Sequence, residues 1–432
     1  MKILIEEINK ILFAISGLIY YKKLRENELL IHIRSFLLTC ISISENDSSD
    51  LEKAGLIEEY TEMFASVLVC NHSGDPDFSK LFLQLMEQDE NPFSRFAATR
   101  NHGKEDLSEA QREIILNDLD KCRLILSFSS EILTRYIREI TGCSLPNWKN
   151  EIHFDSNFEL FEHLWKIYKN HGFGIFSNHH AFIWKSNHLE TVRNPDPIKR
   201  EQLFSYEYEL ERIEENTKRL IAGKRGENLL LFGARGTGKS SIVKAMANDY
   251  FSSGLRLIEI NKDDLLTISD LLEFLTDFDN TKYSFLLFLD DLTFSEEDIR
   301  YTALKTVLEG GLKTRPVNTA IYATSNRRHI VVEKKAQDLY ENDSRNERLS
   351  LSDRFGIAIR FASPTQTQYL DIVSGILSYR KVPFDFEKLQ KEATAWAMKE
   401  NGFSPRTARQ FCDYYQGETT FSDDTKINTR ES

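Results

Sequence analysis

Apolar residues recur at two different periods along this chain, and the period changes near its middle. Through about the first 150 residues the spacing is helical. Leu29, Leu30, Ile33, Phe36 and Leu37 share one face, and Ile115, Leu119, Cys122 and Leu126 share another. Gly and Pro are sparse there. Polar stretches at Ser44–Asp50, Asn71–Pro76 and Asn101–Gly103 read as connections between helices, with Ser49 or Asp50 as an N-cap. The pattern predicts an all-α N-terminal domain over 1–150. It carries no catalytic constellation, so its default reading is an interaction or scaffold domain.

Residues 151–199 read as a linker. A helix over Phe158–Asn170 should end at Gly172, a small β-hairpin should lie within 172–184, and Val192–Pro197 should be extended, because each Pro disfavours helix before it. His179 and His180 fall in the hairpin. Adjacent His residues with no carboxylate or Cys partner nearby read as polar turn residues, not as a metal site.

Beyond Lys199 short apolar runs alternate with helical stretches. Leu210–Ala222 is helical and ends at Gly223. Strands are expected at 228–232, 255–260, 285–289, 319–324 and 357–361. Near-continuous apolar strands separated by helices imply a parallel sheet covered on both faces, here of five strands over 200–362. After Pro364 three helical stretches follow, at about 365–380, 385–400 and 404–416, giving a helical region over 363–418. A polar tail occupies 419–432.

Composition narrows the class without choosing a function. The chain has 432 residues, 41% hydrophobic and 28% charged, which is ordinary for a globular protein. A net charge of −12 argues against a protein that coats nucleic acid through bulk charge. Cys40, Cys70, Cys122, Cys143 and Cys412 are odd in number and none is paired at C-x-x-C spacing, as expected for reduced thiols in a cytoplasmic protein. The apolar run Ile11–Tyr21 is too short to span a bilayer, and Glu6 and Glu7 precede it where a signal peptide would carry positive charge.

The informative motif sits at the end of the first expected strand of the sheet. Gly233, Ala234, Arg235, Gly236, Thr237, Gly238, Lys239 and Ser240, followed by Ser241, fit G-x-x-x-x-G-K-[ST] between a strand and a helix. Backbone N–H groups converge on a phosphate only where side chains do not intervene, hence the glycines. The helix that follows points its positive end at the anion. Lys239 is placed to reach the β- and γ-phosphates and Ser240 to ligate Mg²⁺. A second signature, Phe285–Asp291, is an apolar strand ending in two acids. Asp290 would hold Mg²⁺, and Asp291 would orient or deprotonate the attacking water. Tyr322–Asn326 ends the next strand with polar side chains suited to the γ-phosphate or the water. Asn326 is the first choice there, with Thr324 and Ser325 as rivals.

Together with Ser352-Asp353-Arg354-Phe355 before the fifth strand and the helical C-terminal region, these motifs resemble an AAA+ ATPase. Over about 155–418 the chain more closely resembles a bacterial family of predicted AAA+ ATPases of uncharacterised role. The residues that carry this are Gly172–Phe176, Gly236–Ser241, Leu289–Phe294, Tyr322–His329 and Ser404–Phe411. The resemblance implies ATP and Mg²⁺ as cofactors and ATP hydrolysis coupled to remodelling or moving an unidentified protein or nucleic-acid partner. It also implies a homo-oligomer, a hexameric ring among its forms, and no membrane association. It makes Arg354 a finger that reaches a neighbouring subunit's nucleotide. Arg406 becomes a lid arginine on nucleotide, with Arg409 as the alternative, and Leu203–Glu207 a base-contacting segment. One departure matters: many AAA+ enzymes carry Glu where this chain has Asp291. A shorter carboxylate implies slow hydrolysis or help from Glu296 or Glu297. Two rival readings follow, a slowly hydrolysing nucleotide-gated switch and a DNA-linked loader. The second would rest on the basic cluster Arg327, Arg328, His329, Lys334 and Lys335.

Overall fold

The computed structural model describes residues 2–45, 49–70, 75–295, 298–309, 315–327, 331–332, 354–400 and 402–428. The chain divides into two compact units, Met1–Asn178 and His179–Ser432.

The first unit is helical. Its helices are α1 (Lys2–Ser16), α2 (Glu28–Glu45), α3 (Asp50–Cys70), α4 (Phe78–Gln88), α5 (Pro92–Ala98), α6 (Glu109–Leu126), α7 (Ser130–Thr141), α8 (Asn157–His171) and the short α9 (Ile175–Asn178). Their boundaries follow local chemistry. Ser49 caps α3, its backbone N–H donating to Glu52 Oε2 and its Oγ accepting from Glu52 N. Ser108 and Gln111 form a capping box on α6, and Gly142, at φ 73°, ends α7 in the left-handed conformation. Buried polar groups hold backbone. Asp118, fully buried, accepts from the N–H groups of Ile19, Tyr20 and Tyr21 at 2.7–3.2 Å. Lys169 Nζ donates to the carbonyls of Thr99, Arg100 and His102.

The second unit runs β1 (Ala181–Lys185), β2 (His188–Thr191), α10 (Glu207–Ile221), β3 (Leu229–Gly233), α11 (Lys239–Asp249), β4 (Leu255–Ile260), α12 (Ile268–Thr276), β5 (Ser284–Leu289), β6 (Phe294–Ser295), α13 (Ile299–Glu309), β7 (Thr319–Ser325), β8 (Val331–Val332) and β9 (Ile357–Phe361). It closes with α14 (Gln366–Tyr379), α15 (Phe386–Lys399) and α16 (Pro405–Asn428). The main sheet has the order β2-β1-β4-β5-β7-β3-β9. Every neighbouring pair is parallel except the β1–β2 hairpin. β5 and β7 are buried along their whole length, as strands covered on both faces must be.

Three expectations need correction. The linker hairpin was not expected in the sheet, but β1 pairs in parallel with β4 and carries β2 with it, so the five strands of 200–362 belong to a seven-stranded sheet among the described residues. The hairpin lies at 181–191 and not within 172–184; residues 175–178 form α9 instead. Its two-residue turn is Ser186-Asn187, both at positive φ (50° and 63°), the geometry that matches the twist of paired strands. A Ser-Asn pair is a weaker turn signal than Asn-Gly, and the apolar run before it drew the hairpin too early. Third, α16 continues to Asn428, through most of the segment expected to be a polar tail.

The helices after β9 build a small core of their own. Tyr369, Val373 and Leu377 of α14 are buried with Leu389 and Ala393 of α15 and Phe411 and Cys412 of α16.

Candidate functional site

In a parallel sheet the C-terminal ends of the strands share one edge. β3 and β5 both pair with β7, so the loop after Gly233 and the acids after Leu289 emerge side by side. Gly233 has φ 132°, and a Cβ there would overlap the Phe361 carbonyl oxygen at the end of β9. Only glycine permits that approach, which also lets Ala234 N donate to Phe361 O at 3.1 Å. Gly236, at φ 75°, lies beneath α16. Arg406 N donates to its carbonyl at 3.2 Å, and a Cβ on Gly236 would meet Arg406 Cβ and Ser404 Oγ at 3.3 Å. Gly238 is the left-handed residue from which α11 starts.

Lys239 is almost fully buried and donates to the carbonyls of Gly233 (3.1 Å) and Ala234 (2.7 Å). Burial pulls its ammonium below the ordinary lysine range, while the Asp291 and Asp290 carboxylates push it back up. Ser240 Oγ donates to Asp290 Oδ1 at 2.6 Å, joining residues 50 apart in sequence. The oxygen donors of Ser240 and Asp290 are the hard ligands that Mg²⁺ takes, so the side chains present fit that ion. Asp291 adopts φ 49°, uncommon for a residue with a side chain. Its N–H donates to Thr324 Oγ1 at 2.8 Å, and Asn326 Nδ2 donates to its Oδ1.

These groups face a cleft of about 600 Å³. Loop residues Arg235 to Ser241, Asp290, Asp291, Thr324 and Asn326 form one wall. Gln202, Leu203, Phe204 and Tyr206 form a second, and Ile372, Ile376, Pro405, Arg406, Arg409, Gln410 and Asp413 of the C-terminal helices a third. Arg406 and Arg409 both line the cleft. Sequence reasoning missed Gln202, Asp413 and the apolar pair Ile372 and Ile376. None carries a motif; Asp413, Ile372 and Ile376 reach the cleft because α14 and α16 pack over the loop, and Gln202 reaches it from the segment before α10. It also missed Glu259, the single acid in the β4 run. Burial raises that carboxyl above its usual range; the Asp290 charge raises it further and Lys244 opposes.

Arg354 does not join this group. β9 pairs in parallel with β3 from Leu229↔Ile357, so a residue just before β9 lies at the sheet edge opposite the phosphate loop. There Arg354 Nη2 pairs with Glu309 Oε1 at 2.6 Å, and its buried Nε has no acceptor among the described residues. Residues 351–353, Glu296, Glu297, Arg328, His329, Lys334 and Lys335 lie outside the described residues; Arg327 lies within them. His180 is not a bare turn residue: its Nε2 meets Asn248 Oδ1 at 2.7 Å and ties β1 to α11.

Strand order, phosphate loop, acid-ended strand and helical lid together define an AAA+ type P-loop core. The chain belongs to the family described as "Protein of unknown function (DUF815)", which it matches over residues 177–419. That match begins after Gly172–Phe176, so the resemblance is shorter at its N-terminal side than the motifs implied. No curated protein matches by sequence. Among solved structures, the chain is similar to the RuvB Holliday junction branch migration motor of Thermotoga maritima, at 14% identity and TM-score 0.37, over 52% of this chain and 67% of that one. A single-substitution form of the same protein matches with 14% identity, TM-score 0.38 and the same coverage. No helix among the described residues is long and apolar enough to cross a membrane.

Proposed function

We propose that the cleft binds Mg·ATP and that the protein is a cytoplasmic ATPase, whose core (200–362) and lid (363–418) move against each other to reshape a bound partner. The carrying observation is the direct bond between Ser240 and Asp290, which brings the phosphate-loop hydroxyl and the strand-end carboxylate onto one point. Main-chain amides from Arg235 to Ser241 hold the phosphates, Ala234 N–H being committed to Phe361 O, and Lys239 exchanges its loop carbonyls for phosphate oxygens. Ser240 and Asp290 are the residues that would hold Mg²⁺, which supplies charge neutralisation across the phosphates. Asp291 takes the proton of the attacking water, Asn326 orients that water or the γ-phosphate, and Arg406 steadies the phosphates from the lid. Arg354 acts on the nucleotide of a neighbouring copy in a homo-oligomer. Its position at the far sheet edge supports this reading. The first unit carries the interaction with a protein or nucleic-acid partner.

A second reading, a nucleotide-gated switch with slow turnover, is favoured by one observation. The short Asp291 carboxylate is engaged by Asn326 and so is held back from water. Lys239→Ala tests what both readings share. It should abolish binding of a fluorescent ATP analogue, because the phosphates lose their ammonium partner; undiminished binding would overturn the site.

A further inference from the structure

We propose that Thr324 is a positioning residue that sets the geometry of both acids, Asp290 and Asp291, through one buried hydroxyl. The inference rests on the nucleotide-binding reading above.

A hydroxyl has one proton to give and lone pairs to accept with. Thr324 is 2% exposed, so its hydroxyl must find both partners inside the protein. The Asp291 N–H can only donate, and it reaches Thr324 Oγ1 at 2.8 Å. The hydroxyl proton therefore goes to Asp290 Oδ1, 2.5 Å away, a short charge-assisted bond. The same oxygen accepts from Ser240 Oγ at 2.6 Å and from Asp291 N at 3.2 Å. If Ser240 turns toward a metal ion, Thr324 is the side-chain donor that stays on Asp290 and keeps the carboxylate in place.

Asp291 depends on the same group. Its left-handed φ of 49° is costly for a residue with a Cβ and persists only where its surroundings impose it. Thr324 supplies two of those constraints: its hydroxyl takes the Asp291 N–H, and its carbonyl takes the Leu292 N–H at 2.8 Å. Ser325 Oγ then holds the Leu292 carbonyl from the next position, at 2.9 Å. The end of β7 thus clamps the turn that follows β5. The hydroxyl is the one part of that clamp that also touches a metal-binding carboxylate.

The test uses the full chain and three variants. Thr324→Val keeps the shape and removes the hydroxyl, Thr324→Ser restores it, and Thr319→Val removes a buried hydroxyl from the far end of the same strand. Mn²⁺ binding, followed by its electron paramagnetic resonance signal in the presence of a non-hydrolysable ATP analogue, is measured beside ATP turnover. Thr324→Val should bind the analogue in EDTA as wild type does. It should weaken Mn²⁺ about tenfold to a hundredfold, the range for a lost hydrogen bond to a charged group. Its kcat should fall with little change in KM, and Thr324→Ser should recover most of both. Thr319→Val should match wild type in Mn²⁺ affinity. If Thr324→Val does not fold, Thr324→Ala takes its place with the same expectation. Wild-type Mn²⁺ affinity and kcat in the Val or Ala variant would overturn the role of Thr324 alone. A wild-type protein that binds no analogue would overturn the nucleotide reading and this inference with it.

Discussion

Asp118 and Asp290 are both carboxylates with several hydrogen bonds, and they behave differently because their surroundings differ. Asp118, in the helical unit, is fully buried and takes its short bonds from three consecutive backbone N–H groups that cannot turn elsewhere, with Lys121 Nζ farther off at 3.5 Å. Asp290, in the α/β unit, is exposed and takes two of its bonds from hydroxyls, of which that of Ser240 can turn toward another partner while that of Thr324 stays. A carboxylate that fixes backbone is isolated from solvent and fully occupied. One suited to an incoming ion sits at a cleft and shares its donors. The same contrast separates the two lysines. Lys169 is spent on three carbonyls beside its own helix, whereas Lys239 rests on loop carbonyls at the mouth of a cleft.

If the contrast holds, substitutions at the cleft of the α/β unit should change turnover more than stability, and those at groups tied up within the fold the reverse. The largest expected effect is from Arg354→Ala. Fingers of this kind contribute about 10³- to 10⁵-fold to turnover. Nucleotide binding by a single protomer should be nearly unchanged, because Lys239 and the loop amides belong to the same chain. Mixing this variant with Lys239→Ala should restore part of the activity once both are shown to co-assemble. No recovery, with full-rate hydrolysis by dilute monomeric wild type, would remove the trans-acting role.

Asp118→Ala should do the opposite. It leaves the N–H groups of Ile19, Tyr20 and Tyr21 without their carboxylate acceptor, the last of them buried, at a cost of about 1–3 kcal/mol. The thermal midpoint of the helical unit should fall, while turnover per folded molecule stays at the wild-type value. A matching loss of turnover would show that the two units do not divide labour in this way.

The smallest effect sharpens the comparison by pH. Hydrogen bonding by the Arg300 guanidinium holds the Asp298 carboxyl down to about 2. A depressed carboxylate pKa contributes stability above its unfolded value, near pH 4, and the contribution disappears as pH falls through 2. Asp298→Asn should therefore cost about 1–2 kcal/mol at neutral pH and nothing near pH 2. A cost that did not shrink on acidification would place the effect in packing and not in charge.

The local grammar of this chain was legible without coordinates. Gly233 to Ser241 were legible as a loop because their spacing of glycines, Lys and Ser is a local pattern, although Gly233 and Gly236 also answer close approaches from Phe361 and α16. The runs at 228–232, 255–260, 285–289, 319–324 and 357–361 read as strands because they are short, mostly apolar and separated by helical stretches. The helix end at Gly172 was readable from the sequence as well. The rest depended on partners far away in sequence. The hairpin joins the sheet only because β1 finds the free edge of β4, more than 70 residues later. The lid residues over the cleft carry no signature of their own, and the left-handed Asp291 looks like any acid at a strand end. Thr324 reads as one of three rival polar groups at a strand end, and its bond to Asp290 shows only when β5 and β7 are laid side by side. A hydrogen bond across 34 residues is settled by which strands become neighbours, and that pairing is chosen by the burial of the whole sheet and not by the residues at its edge.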